Sequence, residues 1–125
     1  MSKTHEHLII RALINRPLIE LNETVAWTTA LVGKLGLTFL HNPVGAYCHD
    51  EGNRGVTVVA ILNASHLALH IWDEVTPALL QLDIYSCKKL DLSIVLAELN
   101  LLSAIKIERK LFDRSITIRE LASKL

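Results

Sequence analysis

The chain of 125 residues has little of what marks several large classes of protein. It has two cysteines, Cys48 and Cys87, so no disulfide framework holds it together. A reducing, cytoplasmic setting is expected. Its three prolines and five glycines are scattered, leaving no linker or low-complexity tract. Neither sign of charge dominates: Lys+Arg and Asp+Glu balance at 13 each, which removes the bulk electrostatic reason to expect nucleic acid. No apolar run reaches the roughly 18 residues of a membrane span. The opening MSKTHEHLII lacks the basic end, apolar run and small-residue cleavage site of a signal peptide. Half of the residues are hydrophobic, which argues against disorder. The length suits one domain over 1–125 with one core.

HLIIRALI reads as a first strand and NETVAWTTALVGKLG as a helix. For that helix the spacing predicts Asn22 as N-cap, Gly36 as the stop, and a core face of Leu21, Val25, Thr28, Val32 and Leu35. LTFLH reads as a short strand, and residues 42–55 as a loop rich in Pro, Gly and Asn. Its length is itself a hint of function. VTVVAILN, HLALHIW and LLQLDIYSC are three strands of an antiparallel meander. DLSIVLAELNLL is a second helix capped by Asp91, with Leu92, Val95, Leu96 and Leu99 on one face. AIKIERKLF alternates as a strand, and TIRELASKL reads as a short terminal helix. The order predicts an α+β fold, a mainly antiparallel sheet with helices on one face.

The stretch NASHLALHIWDE, residues 63–74, is the least ordinary. Strand alternation puts Leu67, Leu69 and Ile71 on the core face, and His66, Ala68, His70 and Trp72 on the other. In the next strand Asp83, Tyr85 and Cys87 share a face. If the two strands pair, one polar face gathers His66, His70, Asp83, Tyr85 and Cys87, with Ser65 at the strand entrance. A hydroxyl, an imidazole and a thiol so placed make a chemically useful set. His66, His70, Cys48 and Cys87 offer zinc-ligand types, but neither C-x-x-C nor H-E-x-x-H occurs, so no metal site is expected. EGNRG lacks the lysine of a phosphate-binding loop.

GVTVVAILNASHLALHIWDE…LDIYSC resembles the S-adenosylmethionine decarboxylase family, specifically its small prokaryotic proenzymes. The letters that carry the resemblance are Ser65, His66, Leu67, Leu69, His70, Trp72, Glu74, Asp83 and Cys87, within residues 55–88. The resemblance implies the two-layer fold of that family and a self-processing enzyme. The chain is then cut between Ala64 and Ser65. The serine hydroxyl attacks the preceding carbonyl to give an ester, and β-elimination leaves a residue that becomes a pyruvoyl group capping 65–125. That group is the expected cofactor, condensing with the substrate amine as a Schiff base and accepting electrons as CO₂ leaves. By the same resemblance His70 is the processing base, Thr57 a processing aid and Cys87 the proton donor. A thiol with a pKa near ~8.5 still carries its proton at neutral pH. Glu74 matches a motif position expected to contact substrate, with Trp72 and Tyr85 beside it. Small members of the family form homodimers whose sites draw on both chains, so a homodimer is expected, with no nucleic-acid partner.

The chain departs from the family motif in places. Ala64 stands where the motif has glutamate, Asp73 where it has proline, Tyr85 where it has phenylalanine, and Lys88 where it has glycine. Near the 42–55 loop only Phe39 and Tyr47 could sandwich an adenine. The loop offers Asp50, Glu51 and Arg54 instead. An acidic pair suits a distal cation, and an arginine suits a carboxylate. The expected substrate is therefore a basic amino acid, and the chain's resemblance to divergent branches of the family that decarboxylate L-ornithine or L-arginine implies one of those two, with S-adenosylmethionine the alternative. A non-catalytic paralogue that keeps the fold and serves as a partner subunit is the further alternative.

Overall fold

Why do helices cover only one side of the sheet? The answer lies in the alternation within each strand. The computed structural model describes residues 3–122. Its elements run β1 (Glu6–Ile14), α1 (Leu21–Lys34), β2 (Val44–Cys48), β3 (Gly55–Leu62), β4 (Ser65–Trp72), β5 (Ala78–Ser86), α2 (Leu92–Asn100), β6 (Ala104–Asp113) and β7 (Arg119–Leu121). The seven strands form one sheet in the order β2-β3-β4-β5-β1-β6-β7, with every pairing antiparallel. Strands β2 to β5 are the expected meander, and β1 slots between β5 and β6.

One parity of each central strand is buried: Leu8 and Ile10, Val56 and Val58, Leu67 and Leu69, Leu82 and Ile84. Both helices pack there, through Leu31 and Val32 of α1 and Val95 and Leu99 of α2. The other parity stays open. Ile9, Val59, Ile61 and Val44 are 39%, 46%, 54% and 61% exposed on it. Four sizeable aliphatics across one open sheet face is more than scattered surface apolarity, and such a face fits an interaction surface.

Several boundaries differ from the sequence expectation. Helix α1 begins one residue before Asn22, and its cap position is Glu20, which makes no side-chain capping bond. Its core face is rotated: Thr24, Trp27, Thr28, Leu31 and Val32 are buried, while Leu21 is exposed and Val25 and Leu35 are half-buried. Threonines can face the core because their hydroxyls donate to the helix's own carbonyls, Thr24 to Glu20 O and Thr28 to Thr24 O. Gly36 ends the helix as expected. It sits at φ +71°, and the Leu37 amide returns to Val32 O at 3.1 Å, closing the last turn. Asp91 caps α2, accepting from the Ser93 amide at 3.1 Å.

LTFLH makes a single bridge, Phe39 to Leu62, rather than a strand. The 42–55 segment is a loop only in part, because Val44–Cys48 pairs with β3. VGAYC is an edge strand with no fully buried residue, so it carries no apolar alternation to read. The expected terminal helix falls partly on Arg119–Leu121, which instead extends the sheet against β6, and 123–125 lie outside the described residues. A helix that short has little stability of its own, and an open strand edge offers its backbone partners at once.

Candidate active site

Two candidate clusters lie at opposite ends of β4. The first is built on the hairpin turn Asn63–Ala64 that joins β3 to β4. Ala64 has φ +52°, a left-handed conformation that costs an alanine about 1–2 kcal/mol. Ser65 follows, 8% exposed. Its hydroxyl donates to the Asn63 carbonyl at 3.0 Å and accepts the Cys87 amide at 3.0 Å. The Cys87 thiol reaches the same carbonyl at 3.3 Å. The sheet register makes this meeting, since His66 pairs with Tyr85 and so brings the start of β4 beside the end of β5. The serine and the thiol singled out in the sequence therefore share one acceptor, at the residue before the bond expected to break.

The second cluster pairs Thr57 of β3 with His70 of β4, opposite one another in the register. Thr57 Oγ1 lies 2.8 Å from His70 Nδ1, and the imidazole stacks on Trp72 at 5.5 Å between centroids. His70 is not near Ser65. Five residues of extended strand separate them, about 16 Å at roughly 3.3 Å per residue. They also have opposite parity: Ser65 lies on the helix side and His70 on the open side.

The β2–β3 hairpin sits beside this second cluster. Gly55 starts β3 with its backbone pressed against β4, so that a Cβ there would stand 1.9 Å from the Ile71 carbonyl oxygen. Glu74 holds the hairpin turn: its carboxylate accepts the Arg54 amide at 2.9 Å and the Gly52 amide at 3.1 Å. Those two bonds hold its carboxyl below the ordinary value. Arg54 Nε donates to His49 O at 3.2 Å. Tyr47 donates to both oxygens of Asp73 at 2.9 and 2.8 Å, and that carboxylate raises the phenol's pKa. Glu74 and Arg54, expected to touch substrate, are thus engaged in holding the turn, whereas Asp50 and Glu51 are exposed at its tip.

This geometry predicts a pH response. Because the folded-state pKa of Glu74 is lowered, its contribution is complete above the ordinary value of 4.5 and is lost as pH falls through the lowered one. Protection of the Gly52 and Arg54 amides from hydrogen exchange, corrected for intrinsic rates, should hold steady from pH 7 to 5 and drop in more acid solution. Glu74→Ala should remove it at every pH. Protection unchanged in that variant would mean the turn does not depend on the carboxylate.

Sequence reasoning placed His66 and Tyr85 together but missed His5, His7 and Arg114 around them. The Tyr85 ring stacks on His66 at 5.5 Å, meets His7 edge-on at 6.1 Å, and lies under the Arg114 guanidinium at 4.6 Å. Its hydroxyl is 2.7 Å from His5 Nδ1. The alternation in HEH was visible, but nothing local says that β1 lies against β5. Among the described residues no three His, Cys, Asp or Glu side chains converge as metal ligands, and no helix is long and apolar enough to cross a membrane.

A family profile described as S-adenosylmethionine decarboxylase matches residues 21–115, most of the chain and the whole of both clusters. The chain belongs to the S-adenosylmethionine decarboxylase family. Enzymes of this family use a pyruvoyl group made from a serine by self-cleavage, and serve polyamine biosynthesis. The fold agrees. The crystal structure of the adenosylmethionine decarboxylase from Aquifex aeolicus VF5 superimposes with a TM-score of 0.70 at 19% identity, covering 100% of both chains. No curated protein matches the sequence.

Proposed function

We propose that this protein is a self-processing, pyruvoyl-dependent decarboxylase that cuts itself between Ala64 and Ser65, works as a homodimer, and removes CO₂ from L-ornithine or L-arginine. The convergence of Ser65 Oγ and Cys87 Sγ on the Asn63 carbonyl carries this reading. The residues present fit the group. A carbonyl formed at residue 65 would stand within reach of a thiol, the donor its chemistry needs. The pyruvoyl group, once formed, supplies the electron sink for the bond to CO₂. Everything else falls to side chains. The Ser65 hydroxyl attacks the Ala64 carbonyl, and the Cys87 amide orients that hydroxyl. The Cys87 thiol returns a proton to the substrate carbon. Both thiols are free, as a reducing, cytoplasmic compartment would keep them.

The separation of the two clusters supports the homodimer. His70 and Thr57 cannot serve Ser65 of their own chain across about 16 Å of strand. In a homodimer the His70 end of one chain can lie by the Ser65 end of the other, which the separation along β4 forbids within one chain. That arrangement also brings the partner's hairpin, with Asp50 and Glu51 at its tip, toward Ser65. The hairpin and the residues that hold it carry four carboxylates, Asp50, Glu51, Asp73 and Glu74, and one arginine, Arg54. This is an environment for a substrate's distal cation, and it supports a basic amino acid over S-adenosylmethionine. Two acidic groups against one ammonium or guanidinium also explain why the loop dispenses with adenine-stacking aromatics.

The reading is tested by CO₂ release from L-ornithine, L-arginine and S-adenosylmethionine side by side, with the first two expected to lead. Cys87→Ala should still be cleaved, with turnover down about 10²–10⁴-fold, the usual worth of a positioned proton donor. Normal turnover in that variant would remove the thiol from its role. Cleaved protein releasing CO₂ from none of the three would overturn the substrate assignment.

A further inference from the structure

We propose that Ser86, supported by Lys88, is a positioning residue that holds the Cys87 thiol on target after the chain has cut itself, a proposal that rests on the decarboxylase reading above. Cys87 needs such a hold because the sheet stops short of it. Strand β5 ends at Ser86, and its last paired residue against β4 is Tyr85, opposite His66. In the uncut chain two bonds to the β3–β4 turn locate Cys87. Its amide donates to Ser65 Oγ at 3.0 Å, and its thiol donates to Asn63 O at 3.3 Å.

Self-cleavage removes the first of these bonds. The Ser65 hydroxyl adds to the Ala64 carbonyl, and the amide becomes an ester. Loss of the Ser65 α-proton then drives an electron pair toward Cβ and breaks the Cβ–Oγ bond. The oxygen leaves as part of the Ala64 carboxylate. Water later replaces the nitrogen of residue 65, which departs as ammonia. The Cys87 amide has thereby lost its acceptor at residue 65. The thiol's acceptor, Asn63 O, now lies next to the free end of a separate chain.

What cleavage leaves intact is a frame on the far side of Cys87. Ser86 is fully buried, and its hydroxyl brackets the next residue but one, donating to Lys88 O at 2.7 Å and accepting the Lys88 amide at 2.9 Å. Both bonds span Cys87, so they fix the backbone on either side of it. Lys88 Nζ donates to Gly36 O at 3.0 Å, just past the end of α1, where a cation is well placed. Further along, the buried Glu6 carboxylate accepts the Leu90 amide at 2.8 Å. The stretch after Gly36 also holds the other side of the site, since Thr38 O accepts the Asn63 amide at 2.8 Å. One short segment thus anchors the thiol's turn and the scissile turn together. Lys88 stands where the family motif has glycine, so its tether belongs to this chain.

Position matters because the returning proton has two destinations. Once CO₂ has left, the electron pair is shared between the substrate carbon and the α-carbon of residue 65. A proton on the substrate carbon, followed by hydrolysis, gives the amine and restores the carbonyl. A proton on the other carbon, followed by hydrolysis, leaves alanine at residue 65 and releases an aldehyde. A thiol that drifts from its place admits the second route.

The experiment compares wild type, Ser86→Ala, Ser86→Thr, Lys88→Met and Cys87→Ala on whichever of the three substrates the wild type decarboxylates. Self-cleavage is timed first. Alanine at residue 65 is then read by amino-terminal sequencing after turnover, because a pyruvoyl end is blocked. All five should cut at Ala64–Ser65 close to the wild-type rate, since the Ser65 hydroxyl is still present to hold Cys87. Alanine capping per turnover should rise about tenfold in Ser86→Ala, the kinetic worth of roughly one hydrogen bond. It should rise less in Lys88→Met and hardly at all in Ser86→Thr, which keeps the hydroxyl. Cys87→Ala sets the ceiling. Capping at the wild-type level in both Ser86→Ala and Lys88→Met overturns the proposal. So does self-cleavage slowed in step with turnover, the mark of a general loss of structure. If Ser86→Ala does not fold, Lys88→Met decides alone, because that side chain is exposed: raised capping upholds the proposal and wild-type capping overturns it. Cys87→Ala with no excess capping, or wild type that is never cleaved and releases no CO₂, overturns the reading beneath as well.

Discussion

Ser65→Ala should yield a chain that stays whole and releases no CO₂ above background. The effect is all-or-none because the proposed mechanism gives Ser65 two roles. Its hydroxyl is the nucleophile that attacks the Ala64 carbonyl, and its own atoms become the pyruvoyl group. No neighbour can stand in. Ser86 is fully buried, with its hydroxyl donating to the Lys88 carbonyl at 2.7 Å and accepting the Lys88 amide at 2.9 Å. The Cys87 thiol is nearby but belongs to another peptide unit, so its attack could not produce a carbonyl-capped chain at residue 65. Folding should survive. The variant leaves the Cys87 amide without its acceptor, a loss of about 1–3 kcal/mol, which melting and circular dichroism would register as a modest shift. An uncleaved Ser65→Ala protein that still releases CO₂ would refute the assignment of the cofactor.

The second large effect is complementation between two dead chains. His70→Ala should stall processing, and hydroxylamine should cleave the stalled protein by attacking the ester that has accumulated. Ser65→Ala cannot start at all. Co-expression should nevertheless restore activity, because a mixed dimer holds one site with Ser65 from the first variant's chain and His70 from the second's. If chains pair at random, half of the dimers are mixed and each has one working site, so activity should reach about a quarter of wild type. Only the His70→Ala chain should be cut. If each site lay within one chain, the mixture would be no better than its parts. The prediction draws on one geometric fact, that Ser65 and His70 occupy opposite ends and opposite faces of β4.

Much of this arrangement was legible in the sequence, for reasons that can be named. The four central strands were readable because each alternates with a core parity of Leu, Ile and Val, and β3 to β5 are joined by short turns that force antiparallel neighbours. Before any coordinates that pairing gathered His66, His70, Asp83, Tyr85 and Cys87 on one face with Ser65 at the strand entrance, while the meeting of Thr57 with His70 emerged from the structure. The misses share a cause. The strands at Val44–Cys48 and Arg119–Leu121 exist because a sheet edge was available, and nothing in their own residues demands it. The face of α1 was misjudged because Thr24 and Thr28 bury hydroxyls that the helix backbone satisfies. The sequence also grouped His70 with Cys87 on one polar face. It could not show that a strand's length keeps them apart, since parity gives the face of a residue but not its distance. Arg114 escaped notice because its partners come from strands far away in the chain, and only the position of β1 between β5 and β6 brings them together.

The reading that Glu74 and Arg54 bind substrate now competes with a structural role. Both engage the β2–β3 turn directly. Asp50 and Glu51, at the exposed tip, are left as the acidic pair with which a neighbouring chain's substrate could be met. Asp73, which first stood out only as a departure from the family motif, anchors Tyr47 and thereby the same hairpin.

The central claim is that this chain makes its own cofactor at Ser65. Intact-mass measurement of the purified protein under denaturing conditions tests it most directly. The account predicts two chains, 1–64 and 65–125, the second lighter than its sequence mass by the loss of its amino terminus to a carbonyl. A single chain of full mass, unchanged after days in solution, would contradict it.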